Sequence, residues 1–384
     1  MSRLIKLHLF IVLQASVTVV FIFLLHKRDL QLYQKSLENN KTELNQNQSS
    51  ILIISSWRSG SSFLGQLFNI NSNVFYLMEP GWHVWKNFQH SSANSLHVEV
   101  SKLLKSLFLC NTSVFDPYIQ PLSRLNRNLF GWALSRALCS PPACDAYNYS
   151  ETDTEEACSK ACGSYPLRNV EEACQAHTHI ILKEVRILSL EPLYSLLKDP
   201  ALNLKIIHLV RDPRGVFRSR SKERSALNFD SNILYNNFKE KRNFLHYFSV
   251  KRDYKLLEEI CKSQVNMYKQ ATQQNHSFIK GRYKMVRFED LTKDPLKVVS
   301  DLYEFTDLTL TPKLHTWIYN LTHGTGDGGK YGSFQVSPRD AVHVSEAWKT
   351  ELSIFTIQQI EQQCAEAIQV FGYDFFVSKN KQRF

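Results

Sequence analysis

The fold class is decided by the stretch 51–63, which reads Ile-Leu-Ile-Ile-Ser-Ser-Trp-Arg-Ser-Gly-Ser-Ser-Phe. The apolar, β-branched run 51–54 is typical of a buried strand, and the apolar periodicity of 62–68 is typical of a helix. The small polar residues between them predict a turn. Gly60 lets the backbone of this turn approach a ligand, and the free N–H groups at the start of a helix attract anions.

The side chains of this turn suit an anion that contains sulfur or phosphorus. Ser59, Ser61 and Ser62 supply hydroxyl donors, and Arg58 supplies a planar fork of N–H donors. The turn lacks the Gly-Lys-Ser/Thr sequence with which nucleotide triphosphatases hold a metal-bound triphosphate. Serine-rich turns also cap helices without binding a ligand, so this turn alone leaves both interpretations open.

Strand-like and helical patterns alternate along the rest of the chain. This alternation predicts an α/β fold: one P-loop-like domain, 51–384, with a central parallel sheet flanked by helices. Ligands of such sheets bind at the carboxyl ends of the strands. Cysteines crowd into about 139–174, which shows no clear period and is interpreted as an irregular insertion. Beyond the first strand and helix, we expect strands at 74–78, 179–183, 204–210 and 283–288, and helices at 98–108, 295–305 and 345–371.

A second polar segment follows the expected strand 204–210. It reads Arg-Asp-Pro-Arg-Gly-Val-Phe-Arg-Ser-Arg over 211–220 and contains four arginines. Arginine clusters commonly lie on solvent-exposed faces. This cluster, however, leaves the carboxyl end of a strand, which favours an anionic ligand there. The formal net charge of +10 agrees with an acidic ligand.

The N-terminus predicts a membrane anchor. Residues 7–25 form a 19-residue, mostly apolar stretch without Asp, Glu, Lys or Arg, which is long enough to cross a bilayer. We expect 1–6 to be a cytoplasmic tail and the polar segment 26–50 to be a lumenal stem. A cleaved signal peptide is the alternative, but His26-Lys27-Arg28 offers no small-x-small cleavage site.

Sequons and cysteines favour the secretory pathway for the body of the protein. Six Asn-x-Ser/Thr sequons lie beyond the apolar stretch: Asn40, Asn47, Asn111, Asn148, Asn275 and Asn320. All eight cysteines also lie beyond it, and their even number fits disulfides of an oxidising compartment. The spacings of Cys139 with Cys144 and of Cys158 with Cys162 leave zinc binding as an alternative. The pairing cannot be deduced from sequence.

Two stretches together resemble the carbohydrate sulfotransferases of the Golgi. They are Ser-Ser-Trp-Arg-Ser-Gly-Ser-Ser-Phe at 55–63 and Leu-Val-Arg-Asp-Pro-Arg-Gly-Val at 209–216. The resemblance covers about 51–375 and is strongest to the branch that sulfates C6 of N-acetylglucosamine. Further similar motifs lie, in the same order, at 75–85, 137–144, 182–186, 283–291 and 318–324.

The resemblance implies a donor, 3′-phosphoadenylyl sulfate, and no metal. It implies that the 5′-phosphosulfate is held by Trp57, Arg58, Ser59, Gly60, Ser61, Ser62 and Phe63. It implies that the 3′-phosphate is held by Arg211, Asp212, Pro213, Arg214, Gly215, Val216, Phe217, Arg218 and Ser219. Arg211 and Ser219 are the strongest candidates in the second set.

Transfer to a sugar hydroxyl needs a base and stabilisation of the leaving oxygen. Glu79, at the end of the run 74–78, is the expected base, although a capping or salt-bridged glutamate has the same pattern. Arg58 is expected to stabilise the leaving oxygen. Lys183 and Arg186 are expected either to neutralise the transferring group or to pair with a carboxylate such as Glu184.

The aromatic and imidazole side chains of Trp82, His83 and Trp85 fit either a sugar site or a core. The acceptors compatible with the sequence are N-acetylglucosamine, galactose or N-acetylgalactosamine in keratan sulfate, mucin-type or N-linked glycans. The implied location is the Golgi membrane, with type II topology, a glycan partner and no nucleic acid; homo-oligomerisation stays open. A Golgi glycosyltransferase lacks support because 151–153 reads Glu-Thr-Asp and not Asp-x-Asp. A non-catalytic binding protein would not need Arg58, Arg211 and Glu79 together.

Overall fold

The computed structural model describes residues 48–119, 129–131, 134–147, 155–236, 250–274, 276–325 and 336–376. The expected cytoplasmic tail, membrane span 7–25 and nearly all of the stem lie outside these residues. No helix within the described ranges is long and apolar enough to span a membrane.

A five-stranded parallel sheet forms the centre of the described residues, with the strand order β2-β3-β1-β4-β5. The strands are β1 (Ser49–Ser55), β2 (Val74–Met78), β3 (His179–Glu184), β4 (Asn203–Val210) and β5 (Tyr283–Arg287). Ile51 to Ile54 of the central strand are fully buried, because helices cover both faces of the sheet. The α/β prediction and its five strands are confirmed.

The strand register brings the predicted site residues to one edge of the sheet. Met78 of β2 pairs with Lys183 of β3, and Ser55 of β1 pairs with Leu209 of β4. The segments that follow β1, β2 and β4 therefore leave the sheet side by side. The chain runs from β1 to one side through β2 and β3, then returns to the other side at β4, which makes this edge a topological switch point.

Helices pack on both sheet faces. Their bounds are α1 (Ser61–Asn69), α2 (Trp82–Asn87), α3 (Ala93–Phe108), α4 (Glu155–Cys162), α5 (Leu167–Ala176), α6 (Tyr194–Leu197), α7 (Pro213–Lys222), α8 (Asn228–Tyr235), α9 (Val250–Thr272), α10 (Phe288–Lys293), α11 (Pro295–Phe305), α12 (Pro312–Thr322), α13 (Ala341–Glu346), α14 (Trp348–Glu351), α15 (Ile354–Gln363) and α16 (Ala365–Val370). Leu52 and Ile54 of β1 belong to the core layer that includes α3. Ile51 and Ile53 belong to the opposite layer with α1, α11 and α12.

Of three helices expected from the sequence, the structure confirms two and divides the third. The helix expected at 295–305 has the observed bounds of α11, and 98–108 lies inside α3, which begins five residues earlier. The single helix expected at 345–371 is wrong, because α13 to α16 divide this region. Ser353 is extended and its hydroxyl accepts a hydrogen bond from Thr356 N, so it caps a new helix.

All eight cysteines are paired in disulfides, which confirms the disulfide prediction and excludes the zinc alternative. The pairs are Cys110–Cys174, Cys139–Cys158, Cys144–Cys162 and Cys261–Cys364. The insertion at 139–174 is less irregular than expected, since it contains α4 and most of α5. Val170 and Ala173 of α5 are buried against the core, which stabilises a helix that the sequence pattern did not reveal.

Candidate active site

The turn after β1 is tight and leads directly into α1. Arg58 has φ +71° and Gly60 has φ +93°, both in the left-handed region. The hydroxyls of Ser56 and Ser59 hydrogen-bond each other at 2.6 Å, so Ser59 is turned into the protein. A Cβ atom on Gly60 would overlap the ring of Phe288. Glycine is therefore required both by the backbone and by the ring.

We expect Gly60→Ala to weaken binding of adenosine 3′,5′-bisphosphate, the desulfated form of the implied donor. A left-handed L-residue costs about 1–2 kcal/mol, which is about tenfold in affinity if it distorts the bound turn. Gly281→Ala is the matched control, since Gly281 has φ +75° but nothing within 4 Å of its added Cβ. Calorimetric titration and thermal unfolding of both variants measure the difference. Equal losses in both would contradict a specific role for the turn.

A hydrogen bond joins the turn after β1 to the segment after β4. Arg58 Nε donates to Ser219 Oγ of α7 at 3.0 Å, and Arg58 Nη2 lies 3.9 Å from Glu223 Oε1. Burial lowers the pKa of Arg58. The two segments that the sequence assigned separately to an anion therefore meet at one guanidinium.

Arg211 is a buried arginine that hydrogen-bonds two backbone carbonyls. Its Nη1 donates to the carbonyl of Arg58 at 3.0 Å and its Nη2 to that of Val344 at 3.1 Å. Its guanidinium lies 4.4 Å from the centre of the Phe288 ring, and burial lowers its pKa to about 10. The buried Nε has no partner among the described residues. A Cβ on Gly215 would lie 3.0 Å from this Nε, so glycine at 215 leaves room for the Arg211 guanidinium.

The remaining residues of the 211–219 segment divide into two groups. Arg218 and Ser219 line the cavity with Arg211, and Arg218 pairs with Glu351. Asp212, Pro213, Arg214, Val216 and Phe217 do not line it. Arg214 is buried between Asp212 (2.7 Å) and Glu361 (2.6 Å), and Asp212 accepts from Arg214 N at the start of α7. Val216 and Phe217 pack in a third apolar cluster. This second group orients α7.

Glu79 forms ion pairs with two buried cations at the end of β2. One carboxylate oxygen accepts from Lys183 Nζ and the other from Arg186 Nη1 at 2.7 Å. Burial alone would raise the pKa of Glu79, but the charges and hydrogen bonds of Lys183 and Arg186 outweigh it and lower this pKa to about 2. The backbone of Glu79 is left-handed with φ +53°, which is uncommon outside functional sites and turns.

The neighbouring polar and aromatic residues have structural contacts. Glu184 is fully buried and accepts from the backbone N–H of Gly81 at 2.7 Å, as well as from those of Val185 and Arg186, which fixes the chain after β2. Trp85 is fully buried, and His83 bonds the carbonyl of Leu129 at 2.9 Å. Neither ring lines the cavity. The observed contacts therefore support core packing of His83 and Trp85, and not a sugar site.

A cavity of about 780 Å³ lies at this edge of the sheet. From the predicted set, it is lined by Trp57, Arg58, Gly60, Ser61, Ser62, Phe63, Glu79, Lys183, Arg211, Arg218 and Ser219. Six cationic side chains line it against three carboxylates, the cations being Arg58, Lys183, Arg211, Arg218, Lys222 and Arg339 and the carboxylates Glu79, Glu223 and Asp340. The cavity therefore has a cationic lining that suits a polyanion.

In a comparison with protein families, residues 48–371 match a sulfotransferase domain. Carbohydrate sulfotransferase 5 of Mus musculus is 45% identical over 335 residues, covering 87% of this chain and 82% of that protein. Carbohydrate sulfotransferase 6 of Homo sapiens is 45% identical over 333 residues, covering 87% and 82%. The chain belongs to the carbohydrate sulfotransferase family. The resemblance seen in the sequence motifs is thereby confirmed.

Among solved structures, the chain is similar to the sulfotransferase domain from the curacin biosynthetic pathway. It is 18% identical, with a TM-score of 0.45, covering 85% of this chain and 99% of that domain. Among the described residues of this carbohydrate sulfotransferase, no group of three or more His, Cys, Asp or Glu side chains could hold a metal ion.

Sequence reasoning missed one wall of the cavity, formed by 336–347 and Phe288 of α10. Arg339 N donates to the carbonyl of Leu321 at 3.2 Å, and Gly324 is required because a Cβ there would meet Pro338. Asp340 then caps α13. Burial lowers the pKa of Arg339, whose side chain lines the cavity. The Asp cap before 341 was a readable helix signal, but nothing local placed this helix against the turn after β1.

Proposed function

We propose that this protein transfers a sulfuryl group from 3′-phosphoadenylyl sulfate to the 6-hydroxyl of N-acetylglucosamine in a glycan. The observation that carries the proposal is the junction of the two anion-binding segments. Arg58 from the turn after β1 is bonded to Ser219 of α7, and both line a cavity that also holds Glu79 and Lys183. A donor with phosphates at two positions and a transferable sulfuryl group needs such an arrangement.

The chemistry of the cavity lining fits this donor. Backbone N–H groups at the start of α1 and the guanidinium of Arg58 suit the 5′-phosphosulfate. Arg211 and Ser219, which both line the cavity, suit the 3′-phosphate. The rings of Phe63 and Phe288 lie edge to face with centroids 6.4 Å apart and both line the cavity, which provides an aromatic surface for the purine.

Glu79 is proposed as the base that accepts the proton of the attacking sugar hydroxyl. Its low pKa ensures that it is ionised at neutral pH but makes it a weak base in the resting protein. Lys183 bonds the same carboxylate and lines the cavity, so it can turn toward the oxygens of the transferring group. When Lys183 leaves Glu79, the Glu79 carboxylate becomes more basic. This happens as the attacking sugar hydroxyl becomes more acidic. Arg58 and the turn amides stabilise charge on the leaving oxygen.

The proposed location is the lumenal side of the Golgi membrane, with the N-terminal segment 7–25 as a signal anchor. Four disulfides support an oxidising compartment. Asn111 and Asn320, which belong to two of the sequons, are exposed. The proposed acceptors are N-acetylglucosamine-containing chains of the keratan sulfate, mucin-type or N-linked classes.

Sulfuryl transfer is tested with donor labelled in the sulfate group. The purified protein is incubated with glycans that end in N-acetylglucosamine, galactose or N-acetylgalactosamine and with 6-deoxy versions of each. Label on N-acetylglucosamine, absent from its 6-deoxy form, supports the proposal. Transfer to another sugar corrects the acceptor, and no transfer to any sugar by protein that binds the donor overturns the activity.

Topology is tested in sealed microsomes from cells that express the full chain. The proposal predicts a mass decrease on enzymatic removal of N-glycans and protection of 51–384 from added protease. A body that carries no glycan and is digested without detergent would overturn the lumenal location.

A further inference from the structure

Arg186 connects the proposed base to a second carboxylate behind the cavity. Its Nη1 donates to Glu79 at 2.7 Å, while its Nε and Nη2 donate to the two oxygens of Asp230 at 3.0 and 3.2 Å. The Arg186 side chain is 4% exposed and does not line the cavity. It therefore cannot reach a bound substrate and acts only on its neighbours.

The guanidinium of Arg186 is enclosed by aromatic rings. Its central carbon lies 5.9 Å from the ring centroid of Trp57, 5.2 Å from that of Trp82 and 5.8 Å from that of Trp85. These rings limit the directions in which its donors can point. With Nε and Nη2 bound to Asp230, the remaining donor Nη1 is aimed at Glu79, and it lies 3.5 Å from Glu184.

Asp230 is supplied by α8, outside the sequence motifs that marked the site. Its carboxylate is 6% exposed and binds Arg186 bidentately, which is the geometry of a strong, directional ion pair. The next residue, Ser231, accepts a hydrogen bond from Arg220 Nη2 at 3.0 Å. Arg220 lies on α7 one residue after Ser219. Helix α8 therefore contacts Arg186, which binds the proposed base, and Arg220, which follows a proposed donor-binding residue.

We propose that Asp230 is a positioning residue for sulfuryl transfer, which acts through Arg186 on the carboxylate of Glu79. The inference rests on the proposed function, because it assigns Glu79 the role of base. Asp230 fixes the orientation of the Arg186 guanidinium and neutralises part of its positive charge. Glu79 is then held in one orientation. The positive charge that Arg186 presents to Glu79 is reduced, because Asp230 shares it.

Removal of the Asp230 charge has a defined consequence. In Asp230→Asn, the amide cannot accept both hydrogen bonds, so the Arg186 fork is released from its bidentate contact. Arg186 then pairs more fully with Glu79 and Glu184, which weakens Glu79 as a base and changes its orientation. We expect kcat to fall by about ten- to a hundredfold, a fraction of what a general base contributes. The donor contacts are untouched, so the KM for the donor stays within about twofold.

The decisive measurement is a double-mutant cycle with Glu79→Gln. If Asp230 acts through Glu79, Asp230→Asn slows the wild-type protein but adds nothing to the loss in Glu79→Gln. Multiplying losses, or a kcat of Asp230→Asn equal to wild type, would overturn the proposal. Asp253→Asn is the matched control, since Asp253 pairs with Arg224 at 2.5 Å without contacting Glu79. Arg186→Lys keeps the charge but loses the fork, and Asp230→Asn should add no loss to it either.

A crystal structure of Asp230→Asn separates this inference from the activity itself. The proposal predicts that the released guanidinium rotates, so that nitrogens besides Nη1 also contact Glu79 or Glu184, whereas in the wild type Nη1 alone contacts Glu79, at 2.7 Å. An unchanged contact overturns the positioning role even if the protein is an active sulfotransferase. A changed contact in a protein that transfers no sulfuryl group would uphold the physical link and overturn only the proposed function.

Discussion

Glu79→Gln is expected to lower kcat by about 10²–10⁴ while binding of adenosine 3′,5′-bisphosphate stays nearly intact. Glutamine preserves the shape of the side chain and removes the proton acceptor. Glu79 lies at the end of β2, whereas the residues assigned to the phosphates follow β1 and β4. The loss should therefore appear in turnover and not in donor affinity. Turnover and nucleotide titration on one preparation measure both, and near-normal turnover would remove Glu79 from the mechanism.

The ion pair with Lys183 complicates this variant, because the Lys183 side chain is only 1% exposed. Removing one partner of a buried pair costs about 3–5 kcal/mol, so Glu79→Gln should also melt at lower temperature. Glu79→Asp is the matched control, since it keeps the negative charge beside Lys183 but withdraws the carboxylate from the hydroxyl. A large loss of turnover in Glu79→Asp with a near-normal melting temperature separates catalysis from stability.

The pH dependence of the free energy of unfolding is a second test of the ion pair between Glu79 and Lys183. The pKa of Glu79 falls from its ordinary value of 4.5 to about 2 on folding. Its ionisation therefore stabilises the fold above pH 4.5, and this contribution is lost as the pH falls towards 2. Glu79→Gln should lack this component, so the stability difference from wild type narrows in acid.

The central strands were predictable because they carry short runs rich in Ile, Leu and Val. Residues 51–54 and 204–210 needed no tertiary information to be identified as buried strands, and Pro295 was correctly expected to begin α11. The division of 345–371 was not predictable from the apolar period, because the extended backbone at Ser353 interrupts the helix without proline or glycine. The helices of 139–174 depend on disulfides whose pairing the sequence cannot give.

The candidate site was predictable to the level of segments but not of contacts. Sequence motifs identified Glu79, Lys183 and Arg186, but they did not show that both cations contact the same carboxylate. This arrangement follows from the pairing of Met78 with Lys183 in the sheet and from the two side-chain contacts of Glu79. Arg214 and Arg218 look equivalent in sequence. They lie on the same side of α7, because they are four residues apart. Only the tertiary packing separates them: Arg214, in the first turn, is buried against Glu361, whereas Arg218, one turn further along, lines the cavity.

Arg211→Ala is expected to weaken binding of adenosine 3′,5′-bisphosphate by about ten- to a hundredfold, since one charge-assisted contact is worth about 1.5–3 kcal/mol. The guanidinium also holds the carbonyls of Arg58 and Val344, so its removal loosens two walls of the cavity at once. Arg211→Lys keeps a positive charge but cannot form this fork. It should recover only part of the affinity, and isothermal titration of the three proteins measures the order.

The assignment of Arg211 to the 3′-phosphate is tested by changing the ligand together with the residue. Adenosine 5′-monophosphate lacks the 3′-phosphate, so Arg211→Ala should weaken its binding much less than that of the bisphosphate. Arg214→Ala is the contrasting variant, because Arg214 is buried between Asp212 and Glu361 and does not line the cavity. Its loss should lower the melting temperature and affect both nucleotides alike. If Arg211→Ala also weakens both nucleotides equally, Arg211 only supports the cavity wall, and the 3′-phosphate must be held by other cationic side chains of the lining.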